Sequence, residues 1–206
     1  MAALVFFASY HSVYFKKLDQ VKLESAAGNF DAGSYANDFY HNKLIPHLDS
    51  AIETGRLVAL LQTDPAEAFR KYSHALAIGN IRYFLVRGEA VISQIKEDAI
   101  SLGAASDTTD VDAKIITEFV YGSAIRDASG LLSLNEFSST SDFNGVAEEI
   151  NKIVRKQVLP PFLSKAKPGN TIQYAGAIEL NQAHLNLDSI EIVPIRLSII
   201  SQPVTN

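Results

Sequence analysis

Apolar and polar positions alternate in three different ways along this chain. Residues 1–15 carry no charged side chain apart from the titratable His11, and Lys16 and Lys17 close the run. The run is shorter than the roughly 20 apolar residues that a membrane span needs. It also lacks the basic lead and small-residue cleavage pattern of a signal peptide. Two readings stand for it: the remnant of a membrane anchor, or a buried strand or helix. The lysines behind it run against the positive-inside tendency and give the anchor no support.

Over residues 31–75 the period is helical. Asp31 can cap a segment in which Tyr35, Phe39 and Tyr40 are followed by Leu44, Leu48 and Ile52, with Pro46 as a kink or break and Gly55 as its end. Leu57, Leu60 and Leu61 mark a second helix. Asp64-Pro65-Ala66-Glu67 then reads as an N-cap, a proline at the first helical position and a capping-box glutamate, with Phe69, Tyr72 and Leu76 facing inward. These helices are too short to stand alone and should pack on the remainder of the chain.

After Gly79-Asn80 the period becomes two. The segment IRYFLVRGEAVIS reads as a strand with a bulge or sharp coil at Gly88, residues 99–102 as a second and residues 114–121 as a third. A helix over residues 142–159 puts Phe143, Val146, Ile150, Ile153, Val154 and Gln157 near one face and stops before Pro160-Pro161. Strands over 171–180, with Gly176, and 189–200 close the chain. The class is α+β: an N-terminal helical segment packed on a five-stranded OB-like β-barrel with one helix between strands three and four. A plain sandwich of sheet and helix is the alternative. The expected units are residues 1–17, the apolar segment; 18–78, the helical appendage; and 79–206, the barrel.

Composition narrows the function. The chain has 206 residues, 47% of them hydrophobic, so it can bury a sizeable core. A net charge of −5 with only 18 Lys and Arg, and no basic stripe, argues against nucleic acid as the partner. Cysteine is absent, which excludes disulfides, a thiol nucleophile, iron–sulfur ligation and lipidation of a cysteine. No Gly-x-Ser-x-Gly elbow or phosphate loop occurs, no cofactor is implied, and no catalysis is expected.

The chemistry concentrates in residues 121–137, YGSAIRDASGLLSLNEF, where Arg126 and Asp127 sit among apolar neighbours. A guanidinium fork and a carboxylate can bracket sugar hydroxyls or an acid. They can equally be structural partners, Arg126 meeting carbonyls or an acid such as Glu118 or Glu136, and Asp127 capping a turn. Asn135 and Phe137 could add an amide and an aromatic platform, and Arg87 in the first strand a further cation. Asp107, Asp110 and Asp112 form a weak candidate for a hard cation, without the glycine and distal glutamate of an EF-hand loop. The histidines show no i, i+4 zinc pair.

Phe30-Asp31-Ala32 with Tyr35 and Pro46, the segments RYFLVRGEA, GSAIRDASGLLSLNEF and NTIQYAGAIEL, and the ending EIVPIRLSI together resemble an uncharacterised bacterial family of predicted periplasmic lipoproteins. The likeness runs in order over residues 29–200. Its most specific part is Gly122, Ala124, Arg126, Asp127, Asn135 and Phe137. It implies an extracytoplasmic protein attached to the cytoplasmic membrane, with a sugar ABC transporter or its binding protein as partner and a small carbohydrate as candidate ligand. Without a cysteine, attachment would fall to residues 1–15. A scaffold that docks through the helical appendage is the rival reading, and it predicts an exposed apolar patch at residues 35–39. Nucleic-acid binding is the third.

Overall fold

The computed structural model describes residues 30–76, 79–104 and 112–201. The apolar run of residues 1–15, and Asp107 and Asp110 of the carboxylate loop, lie outside them. Helix α1 (Ala32–Phe39) starts where Asp31 accepts a hydrogen bond from the Ser34 amide at 3.0 Å. Pro46 does not break the path. A π-helical turn, Tyr40–Leu44, precedes it, in which the Ile45 amide reaches back to the Tyr40 carbonyl, and the helix runs on to Ser50. Widening the turn absorbs the donor that proline lacks.

A two-residue strand, β1 (Ile52–Glu53), leads into α2 (Thr54–Thr63), and Asp64 caps α3 (Pro65–Tyr72) by accepting from the Glu67 amide at 3.0 Å. Gly55, expected to end the first helix, instead lies in the first turn of α2, because the chain has already left the helix at Ala51 in extended conformation. Leu76, expected to face inward, is 46% exposed: α3 ends at Tyr72 and hands over to β2 (Ser73–His74).

The long strand β3 (Ile81–Ile95) organises the sheet. One edge pairs with β6 (Thr171–Asn181) from Ile81 opposite Asn181 to Val91 opposite Thr171. Its other edge is taken in turn by β2, by β1 in parallel, and by β4 (Ala99–Ala104). Pairing continues through β5 (Ala113–Ile116) to β7 (Ile190–Ser201) and back to β6. Among the described residues the sheet has seven strands, and the five longer than two residues pair in a closed ring, β3–β4–β5–β7–β6–β3. The third strand stops at Ile116, not at residue 121: the ladder with β4 ends at Ala99 opposite Ile116, and Thr117 closes it by donating from its amide to the Asp98 carbonyl at 2.9 Å and from its hydroxyl to the Glu97 carbonyl at 3.1 Å.

Between β5 and β6 stand three helices where one was expected: α4 (Ala124–Ser129), α5 (Thr140–Ile153) and α6 (Leu159–Leu163). The prolines at 160 and 161 do not stop the helix. A second π-helical turn, Val154–Val158, carries the chain into α6, whose first turn accommodates both rings.

The strands bury both faces. Phe84 and Val86 point into the ring with Ile92, Ile100, Ile115, Ile172 and Ile192, and α2, α3 and Phe162 of α6 join that interior. Leu85 faces the other way, with Ala175, Ala177 and Ile195, against α1, α4 and α5. A fully buried Phe or Leu contributes about 1.5–3 kcal/mol, so these two layers hold the fold. The Tyr40 hydroxyl ties the π-helical turn after α1 to β7 by donating to the Ile195 carbonyl at 2.5 Å, and burial pushes its pKa up to about 12. Gly176 lies at a register shift between β6 and β7, where a Cβ would come within 2.5 Å of both Ile192 and the Val193 carbonyl.

Candidate functional site

The segment 121–137 contains the six-residue helix α4, and the structure puts its two charges inside. Arg126 is 2% exposed and Asp127 8%. Arg126 Nε donates to Asp127 Oδ1 at 2.7 Å, and a terminal guanidinium nitrogen donates to the Phe143 carbonyl at 3.0 Å and to Asn144 Oδ1 at 3.2 Å. The guanidinium carbon lies 3.6 Å from the centre of the Phe143 ring. Neither Glu118 nor Glu136 takes part in this ion pair; the acid is the next residue.

Phe137 is buried in an aromatic cluster with Phe30, Tyr35 and Phe143, at ring separations of 5.1–5.7 Å. Tyr35 in that cluster has its pKa pushed up to about 12 by burial, and the carboxylates of Glu136 and Asp38 add to the rise. Asn135 is exposed in a tight turn. There the Ser133 hydroxyl accepts from the Asn135 amide, and the Glu136 carboxylate accepts from the Ser133 amide at 2.9 Å. Arg126 and Phe137 thus meet around Phe143, with Asp127 joined to them through Arg126, while Asn135 stands outside that group. Arg87 belongs to another neighbourhood: its Nε lies 3.0 Å from Glu53 Oε1 without the alignment of a hydrogen bond. Asp112 is exposed just ahead of β5, and among the described residues no three acids or histidines gather as a metal site.

The open cleft beside this cluster lies between residues 121–123 and α5, and it encloses about 360 Å³. Tyr121, Gly122 and Ser123 line one side; Asn144, Glu148 and Asn151 line the other. Side chains of α5 and the turn after it hold the facing backbone. Asn151 Nδ2 donates to the Gly122 carbonyl at 2.7 Å, and Arg155 donates to the Val120 carbonyl. Gly122 has φ of +80°, which turns the chain there. Buried Val120 pins the segment, while Phe119 and Tyr121 on either side are 64% and 61% exposed. The Arg155 guanidinium lies over the Tyr121 ring, 4.6 Å from its centre.

Asn144 links the two parts. Its Oδ1 accepts from buried Arg126, which leaves the amide donors available to the cleft, and Glu148 and Tyr121 are exposed. Sequence reasoning missed this set. The signal was present as the polar stripe Asn144, Glu148, Asn151 and Arg155, spaced four, three and four residues apart on the face opposite Phe143, Val146 and Ile150.

The fold defines the class: an α+β protein with a closed ring of five strands and helices between the third and fourth. It is similar to the crystal structure of an OB-fold protein from Thermotoga maritima, with 25% identity over 82% of this chain and 98% of the other, at a TM-score of 0.74. The chain belongs to the DUF2291 family, described as predicted periplasmic lipoprotein, whose model matches residues 3–198. That description supports an extracytoplasmic location. Comparison with curated proteins returns no match. No helix among the described residues is long and apolar enough to cross a membrane.

Proposed function

We propose that this protein is an extracytoplasmic, membrane-held binding module that takes a small carbohydrate in the cleft between residues 121–123 and α5, as an accessory of a sugar uptake system. The observation that carries the reading is the cleft itself: an exposed tyrosine ring beside an amide, a carboxylate and a hydroxyl, on a backbone fixed by α5. A sugar presents a C–H face to such a ring and hydroxyls to such polar groups. Tyr121 is the platform, Asn144 donates, Glu148 accepts, and the Ser123 hydroxyl, which also bonds the Tyr83 side chain, adds a polar contact. Arg126 and Asp127 act from behind by fixing Asn144 and do not touch the ligand. Attachment through residues 1–15 and a transporter or its binding protein as partner complete the reading. No step of catalysis is assigned.

The test is thermal unfolding of the full chain against pentoses, hexoses and sugar acids. Ligand at a hundred times its dissociation constant stabilises by about 2.7 kcal/mol, or roughly 5–10 °C for a protein of this size. The shift should vanish in Tyr121→Ala and Glu148→Gln, whose side chains are exposed. A flat panel refutes the reading.

A protein partner is favoured by one observation, the exposed pair Phe119 and Tyr121. The patch expected at residues 35–39 is not there: Phe39 is 1% exposed and Tyr35 packs in the aromatic cluster.

A further inference from the structure

A second groove, of about 400 Å³, shares no lining residue with the first. It runs between the segment from Gln157 to Lys165 and the later half of β7. β7 pairs with β5 only over Ile190–Ile192 and with β6 from Val193 onward. Past Ile192 its outer edge therefore meets no strand among the described residues, and α6 stands off beside it.

Two kinds of surface meet in this groove. Val158, Phe162, Leu197 and Ile199 supply apolar walls, and Arg196 and Lys165 supply two positive charges. Arg196 is half-buried, and among the described residues no acid pairs with it. Its charge is felt by the neighbouring Tyr40 hydroxyl, where it works against the effect of burial. A guanidinium held partly away from water, with no acid beside it among the described residues, favours an anion, and its planar fork suits a carboxylate. In a chain of net charge −5, two cations with no acid partner among the described residues, set over apolar walls, are a local exception.

We propose that this groove binds a small amphipathic carboxylate, with Arg196 and Lys165 on the acid group and Val158, Phe162, Leu197 and Ile199 around its apolar body. The site does not depend on the carbohydrate reading.

Calorimetric titration of the full chain with octanoate, octanol and acetate tests it. Octanoate should bind, with octanol and acetate at least tenfold weaker. Arg196→Gln should weaken octanoate at least tenfold. Lys165→Glu, at an exposed position that the fold does not use, should do the same, while Tyr121→Ala leaves octanoate binding unchanged. The proposal is overturned if octanoate fails to saturate in the millimolar range, if octanol binds as tightly, or if both charge substitutions leave octanoate affinity intact.

Discussion

Asp127 and Arg126 are adjacent in sequence and inseparable in the fold. Removing one leaves the other charged and buried, which costs about 3–5 kcal/mol. Arg126→Ala should therefore lower stability by that order in chemical denaturation, and a loss under about 1 kcal/mol would show the pair to be dispensable. The consequence for function is practical. Loss of binding in an Arg126 variant says nothing about ligand contact, whereas Tyr121 and Glu148 can be changed without opening the core. At Gly88 the Tyr174 hydroxyl would stand 2.6 Å from an added Cβ. Gly88→Ala should cost about 1–3 kcal/mol by overpacking, read as a lower denaturation midpoint.

Among the elements, β2 and α4 meet through one histidine. Gly130 ends α4 at φ of +64°, and an added Cβ would run into the His74 ring, so the ring lies against the glycine. Partial burial there lowers the His74 pKa, and His47 adds in the same direction. The unfolded chain then binds the proton more readily than the folded one. Stability from this contact is present above about pH 6.5 and falls as the pH drops toward the lowered folded value. Denaturation midpoints from about pH 7.5 to 5.5 should decline less steeply in His74→Gln, and parallel declines would remove the assignment. The long strands were legible because IRYFLVRGEAVIS and the two closing segments are rich in branched and aromatic residues between turn signals, although burial on both faces leaves Phe84, Leu85 and Val86 without true alternation. The helix ends were not legible. Pro46 and Pro160 read as breaks, yet each follows a π-helical turn, a backbone adjustment with no residue signature. The two-residue strands β1 and β2 are too short for any periodicity, although they cover an edge of β3 that would otherwise be open.

For the whole molecule, one ring of strands carries two separate surfaces. Helices α1, α4 and α5 cover its outer face through Leu85, Ala175 and Ala177, and α2 and α3 pack on its interior. The cluster of Arg126, Asp127 and Phe137 could be picked out from sequence because charges among apolar residues need partners. What could not be seen was that satisfying those partners would turn the cluster inward and leave the neighbouring Tyr121 and the polar stripe of α5 as the open surface. The measurement that tests the central claim most directly is an amide-resolved NMR titration of the protein with whichever sugar stabilises it most. The account predicts saturable shifts confined to residues 121–123 and the Asn144, Glu148 and Asn151 face of α5. Shifts that gather elsewhere on the ring, or none at all, would contradict it.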